Sequence, residues 1–169
     1  PLCGASAPDH FHFQAVQSGK MPIEKEFVAM KENHGKVLVN EEDIQISTFE
    51  KYLLEVVLFE SAYAEPIDFF FEQMVKQLPT EQTGGESMMN LLASFQNGSY
   101  RLVLFPRKAQ RPECYFRSDE SRILVSPASV ELGGVVVTPR EEDFNKITKA
   151  DLEQIFGDVC LKHTFISPI

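Results

Sequence analysis

Cysteine is scarce in this chain and unpaired in its spacing. Cys3, Cys114 and Cys160 stand far apart with no CxxC. They offer neither a disulfide framework nor a complete zinc knuckle, and a reducing cytoplasm is the expected compartment. Long apolar runs are also missing: no stretch approaches the ~20 residues of a membrane helix, and no signal peptide is visible at the start. Basic charge is short as well. Lys and Arg number 16 against 25 Asp and Glu, a net charge of −9. That argues against nucleic-acid binding through global positive charge, though a local basic patch would still suit a small phosphorylated ligand. There is no internal repeat, no low-complexity stretch and no phosphate loop. Gly133-Gly134 lacks the spacing and the Lys-Ser/Thr of such a loop and reads as a tight turn. What remains is a chain of 169 residues, 43% hydrophobic and 24% charged, the composition of a soluble globular protein rather than a disordered, collagenous or coiled-coil one. At this length a single domain with a real core is expected, burying roughly 70% of its unfolded surface.

The periodicities give an α+β order. Residues 10–17 (HFHFQAVQ) alternate with a period of two and read as a strand, followed by a turn at 18–20. A short helix over 22–35 ends at Gly35. Strands follow at 36–39 and 44–49 around an acidic turn, then at 52–59. Glu65-Pro66 opens a helix whose apolar face is Ile67, Phe70, Phe71, Met74, Val75 and Leu78, stopped by Pro79. Residues 80–87 form a loop. Strands at 89–95 and 100–105 flank Asn97-Gly98, a strong hairpin signal. Short strands are expected at 123–126 and 134–138. Thr138-Pro139-Arg140-Glu141 reads as a cap for a helix reaching about Ile147. Thr148 and Asp151 cap a last helix that buries Leu152, Ile155, Phe156 and Val159. The expected fold class is thus a mostly antiparallel sheet with flanking helices.

The chemistry concentrates at His10-Phe11-His12-Phe13-Gln14. On a strand, side chains alternate between faces. His10, His12 and Gln14 would share one face, while Phe11, Phe13 and Ala15 would anchor the other in a core. Asp9 could orient a ring through its Nδ1–H. An imidazole so aimed is a competent nucleophile toward phosphorus, and a neighbouring amide can donate to a phosphoryl oxygen without adding a competing acid or base. Two bland alternatives stand beside this. The histidines could be solvated residues of an outer face, or a pair that holds a metal as in cupin barrels, although Gln17 stands where that pattern wants a Glu. Zinc is the metal to consider, with His10 a possible ligand.

A second feature is a local basic cluster of Arg101, Arg107, Lys108, Arg111, Arg117 and Arg122. Arg107 and Lys108 follow a strand directly, where they could point into a site, and guanidinium forks suit phosphate oxygens. With Arg111 they are the candidate phosphate or substrate ligands. The alternative is a solubilising stripe paired with Glu113, Asp119 and Glu120. His34 and His163 read as solvated residues, and Cys3 as a bystander to the histidine motif.

The segments GASAPDHFHFQA and PIEK, then NLLASF with YRLVLFPRK, then ILVSPASVELGGVVVTPREEDF, together resemble the C-terminal part of GDP-L-galactose phosphorylase-like proteins. These belong to the histidine-triad superfamily, and the likeness is to a bacterial branch. HxHxQ marks the nucleotidyltransferase and phosphorylase side of that superfamily, which includes galactose-1-phosphate uridylyltransferase; the hydrolases carry a third His where Gln14 stands. The resemblance implies a histidine-triad-like fold and an enzyme acting on a nucleoside diphosphate sugar or a dinucleoside polyphosphate. It implies His12 as the nucleophile, His10 as its flanking residue or a metal ligand, and Gln14 as the donor that favours transfer over hydrolysis. Nucleotide or nucleotide sugar and phosphate are then the partners, with no nucleic acid and no membrane. Only nine residues precede His10, whereas the nucleotide-binding strands of the superfamily precede this motif. The expectation is therefore a C-terminal portion of a longer enzyme, inactive alone or dimerising through exposed core surface. A non-catalytic nucleotide-sugar-binding module is the rival reading, and a metal-dependent cupin-like enzyme a lesser one.

Overall fold

The computed structural model describes residues 3–4, 13–49, 53–80 and 85–162. Five strands form one antiparallel sheet in the order β1-β2-β3-β5-β4. They are β1 (Gly35–Glu41), β2 (Ile44–Phe49), β3 (Val57–Ser61), β4 (Met89–Gln96) and β5 (Ser99–Pro106). The helices are α1 (Pro22–His34), α2 (Ala64–Val75), α3 (Ser129–Leu132), α4 (Glu141–Lys146) and α5 (Lys149–Val159), with a 3-10 turn at Glu113–Phe116. The α+β reading with flanking helices holds.

The hairpin between β4 and β5 forms where the sequence signals it. Asn97 and Gly98 both have positive φ, 51° and 77°, the geometry that matches the twist of the flanking strands. The pairing runs without a break from Gln96↔Ser99 to Met89↔Pro106. Side chains then alternate. Leu58, Val103 and Phe105 pack with Phe27 and Met30 of α1, Leu132 of α3, and Ile155, Phe156 and Val159 of α5. Ile46, Val57, Phe59 and Leu104 face the other way, against Ile67 and Met74 of α2. The sheet therefore carries two apolar layers, and among the described helices α2 is the one that packs on the second. Phe49, Phe59 and Phe105 are fully buried; truncating any one to Ala in such a setting costs about 3–5 kcal/mol.

Local chemistry explains the helix ends. Glu24 accepts the backbone N–H groups of Gly19 and Met21, each at 3.0 Å, which fixes the entry to α1. Thr148 and Asp151 form the expected reciprocal cap of α5: Asp151 N–H donates to Thr148 Oγ1 at 3.2 Å, and Thr148 N–H donates to Asp151 Oδ2 at 2.9 Å. The chain after α5 is stitched to the end of β5. Lys108 N–H donates to Val159 O at 2.9 Å and Leu161 N–H to Pro106 O at 3.1 Å.

Several expectations are corrected. Residues 13–17 form no strand, and Phe13 is 87% exposed instead of anchoring a core; Ala15 is exposed too. Residues 10–12 lie outside the described residues. Strand β3 begins at Val57, five residues later than the apolar run suggests. The stretches 123–126 and 134–138 are irregular: Ile123 and Val125 reach the core without joining the sheet, and α3 separates the two stretches. Helix α4 takes Arg140 as its N-cap, two residues after Thr138. No helix among the described residues is long and apolar enough to cross a membrane.

Candidate functional site

Of the histidine motif, Gln14 is described and is exposed; His10 and His12, with Asp9, lie outside the described residues. The two ends of the chain around the motif are placed. Upstream, Cys3 and Gly4 form a turn seated on the body of the protein. Cys3 O accepts from Asn90 Nδ2 at 3.0 Å, and Gly4 O accepts from Ser126 Oγ at 3.4 Å. Gly4 has φ +79°, and a Cβ there would sit 2.1 Å from Pro127 O. Only glycine meets both demands. Downstream, the hydroxyl of Ser18 and the amide of Gly19 donate to Glu24, which also accepts from Gln96 Nε2 at the far end of β4.

The seat of Gly4 is organised by Arg107. This residue is fully buried. Its Nε–H donates to Val159 O at 3.1 Å, and its Nη1 donates to Pro127 O at 2.8 Å and to Asn90 Oδ1. Its Nη2 donates to Ala109 O at 3.0 Å and Gln110 O at 3.1 Å. All five guanidinium N–H groups are thereby matched, and none of the acceptors is a carboxylate. The expectation that Arg107 reaches out to phosphate is therefore corrected: it turns inward and ties three separate backbone stretches, at 109–110, 127 and 159, to Asn90. Burial lowers its pKa, against the pull of Cys160, Cys3 and Glu131.

Arg111 stands at the edge of the same assembly. It is half-buried, its Nε–H donates to Ser126 Oγ at 3.3 Å, and its guanidinium lies 4.4 Å from the centre of the Tyr115 ring. Lys108 is exposed. The structure thus brings Gly4, Arg107 and Arg111 together around Ser126-Pro127. The rest of the basic cluster disperses. Arg122 donates to Tyr115 O, Arg117 to Ser121 Oγ, and Arg101 pairs with Glu60 on β3. Cys160 is buried and its thiol is pushed up to about 11 by burial, with Arg107 pulling the other way; it is a protonated packing residue at neutral pH. Cys114, raised by burial, is the same. His34, at the end of α1, is exposed, and His163 lies outside the described residues. Among the described residues no group of three His, Cys, Asp or Glu is disposed to hold a metal.

Sequence reasoning missed three groups. Asn90, the second residue of β4, bridges Cys3 and Arg107, and its amide stands directly before the apolar run Leu91-Leu92-Ala93. Asp143, fully buried, accepts from Arg140 at 2.8 Å, from Lys146 at 3.2 Å, and from the Leu124 N–H at 2.9 Å. The hydrogen bonds from Arg140 hold its carboxyl down to about 2. Glu60 takes Lys31 Nζ at 2.5 Å and Arg101 Nη2 at 2.8 Å. Burial works against its charge, but those hydrogen bonds and the two positive charges keep its pKa below the usual carboxylate value.

Searches of curated proteins and of solved structures return no match. Residues 28–165 match the family described as GDPGP1-like, C-terminal domain. The matched span holds the five described strands, α2 to α5, Asn90, Arg107 and Arg111, and it begins after the histidine motif. Because it covers most of the chain, the protein belongs to the GDPGP1-like C-terminal domain family.

Proposed function

We propose that the protein is the C-terminal, histidine-bearing portion of a nucleotide-sugar phosphorylase or nucleotidyltransferase of the histidine-triad type. Membership of the GDPGP1-like family carries this reading, and the HxHxQ motif ahead of the matched span supplies its chemistry. In the first step a ring nitrogen of His12 attacks the α-phosphorus. A phosphorus–nitrogen bond forms, and the bond to the leaving sugar phosphate breaks. In the second step an oxygen of inorganic phosphate, or of a sugar phosphate, attacks the same phosphorus, and His12 leaves. Both steps exchange similar phosphoryl bonds, so the protein's task is positioning and charge stabilisation. His10 positions His12, and Gln14 donates to the phosphoryl oxygens.

Arg111 is the cation best placed to meet phosphate, because it shares Ser126 with the backbone of Gly4 and Lys108 is its solvent-facing neighbour. Arg107 supports both from beneath. Intact mass after brief mixing with nucleoside diphosphate sugars tests the reading. The expected result is one nucleoside monophosphate added to the protein and lost in His12→Ala. The start of the family match after the motif favours one second reading, a nucleotide-sugar-binding module without catalysis. That module would bind the nucleotide sugar yet form no adduct.

A further inference from the structure

The cavity between α1 and the sheet has a construction that neither the histidine motif nor Arg107 explains. Phe27, Val28, Lys31 and Glu32 of α1 line one side, and Glu60 of β3 and Arg101 of β5 line the other, around about 280 Å³. Arg101 is fixed in place. Its Nε–H and Nη2 both donate to Glu60 Oε1, at 3.1 and 2.8 Å, and Glu60 is held from the other side by Lys31. One face of the guanidinium lies 4.7 Å from the centre of the Phe27 ring. A guanidinium stacked on an aromatic ring and locked in its plane by a carboxylate is a rigid flat platform. Arg101 keeps about a quarter of its side chain exposed, 26%, so the platform is open to a ligand.

We propose that this cavity is a subsite for the planar heterocyclic base of a nucleotide, with Arg101 as the stacking surface. Three observations select that ligand class. The volume lies just under the roughly 300–1,000 Å³ of pockets that hold drug-sized ligands, so it takes a ring system and not a whole nucleotide sugar. The formal charges of the wall cancel: Lys31 and Arg101 stand against Glu60 and Glu32, and Glu60 is ion-paired to both cations. A phosphate gains little there, whereas a neutral ring loses little charge solvation. The groups are also disposed for a ring: Val28, 68% exposed, is an apolar wall, and the exposed Glu32 carboxylate at the rim accepts hydrogen bonds from ring N–H or amino donors. Because Arg101 is pinned before the ligand arrives, stacking costs little side-chain entropy. The proposal rests on the reading of the protein as one that handles nucleotides.

Nucleosides lacking any phosphate test it, because they cannot react with His12. Guanosine, adenosine and uridine would be titrated into the full chain and followed by NMR shift changes, beside Arg101→Lys, Val28→Trp and His12→Ala. Arg101→Lys keeps the charge opposite Glu60 and removes the plane. Val28→Trp fills the mouth from a surface position that packing does not depend on. At least one nucleoside should bind, with shifts centred on Phe27, Lys31 and Arg101. Affinity should fall roughly tenfold in Arg101→Lys, the size of a lost stacking contact. Binding should vanish in Val28→Trp at unchanged melting temperature, and His12→Ala should bind as the parent does. Absence of binding to all three nucleosides overturns the proposal even if the histidine adduct forms. So does binding that Val28→Trp and Arg101→Lys leave intact. Binding that follows the expected pattern in a protein that forms no adduct upholds the subsite and removes the catalytic reading instead.

Discussion

Arg101 and Arg107 stand six residues apart, the first inside β5 and the second directly after it, roughly 20 Å along the same strand line. Both belong to the odd-numbered face that carries Val103 and Phe105 into the core. They are used in opposite ways. Arg107 is fully buried and meets only neutral acceptors, one side-chain amide and four carbonyls. Arg101 is partly exposed and meets a carboxylate and an aromatic ring. The difference teaches how to read a basic residue at a strand end. A guanidinium whose five donors all find backbone acts as a fastener that joins segments distant in sequence. One that keeps an open face after its ion pair is satisfied remains free to meet a ligand.

The comparison can be broken first at Arg107. Arg107→Met leaves Asn90 Oδ1 and the carbonyls of Pro127, Ala109 and Gln110 without this donor, while Val159 O keeps the Lys108 N–H, and each buried polar group so orphaned costs about 1–3 kcal/mol. A loss of at least about 3 kcal/mol is expected in urea unfolding at neutral pH, a large fraction of the 5–15 kcal/mol typical of a domain. A cost below 1 kcal/mol would remove the fastener role.

A third guanidinium, Arg140, sharpens the contrast because its partner titrates. Asp143 has its carboxyl held at about 2 in the fold, against an ordinary value near 3.9. A depressed carboxyl stabilises the fold above its unfolded pKa and loses that contribution as pH falls through the folded one. The contribution, about 2.6 kcal/mol, should therefore be complete above about pH 5 and disappear by about pH 1. Unfolding curves across that interval should show the slope in the parent and a flatter one in Asp143→Asn. Equal slopes would mean that Asp143 is not held as described. Arg107, with no titrating partner among its acceptors, should add nothing to this slope.

The smallest effect is expected at Arg101. Its pair with Glu60 is partly exposed, and such pairs contribute about 0–1 kcal/mol. Arg101→Met should shift the urea midpoint only slightly and leave the fold intact. A loss as large as that of Arg107→Met would erase the distinction between the two arginines.

Much of the fold was legible because its signals are local. Asn97-Gly98 sets a turn by backbone sterics alone, the Thr148–Asp151 cap closes within one helical turn, and the alternation in YRLVLF declares which side chains face which layer. The failures share a different cause. VVVT at 135–138 and ILVS at 123–126 carry the composition of strands, but among the described residues they pair with no strand, and Ile123, Val125 and Val136 pack instead among side chains of α1, α3 and α5. The period of two in HFHFQAVQ likewise proposes a strand that 13–17 does not form, since alternation shows what a segment could bury and not whether a partner exists. At the site, the residue types were readable and their directions were not. Nothing in FPRK tells that Arg107 turns inward while Lys108 is exposed, because the decision belongs to Asn90, Pro127 and Val159, each far away in sequence. The Glu60–Arg101 pair could have been found: opposite charges stand alone in two adjacent apolar strands, at positions that the register brings face to face.

The most direct test of the functional account is the covalent state of the protein itself. Intact mass would be recorded seconds after mixing with a panel of nucleoside diphosphate sugars, quenched at high pH to preserve a phosphoramidate, for the parent chain and for His12→Ala. The account predicts a mass increase of one nucleoside monophosphate in the parent and none in the variant. An adduct that survives His12→Ala, or no adduct while the nucleotide sugar still binds, would contradict it.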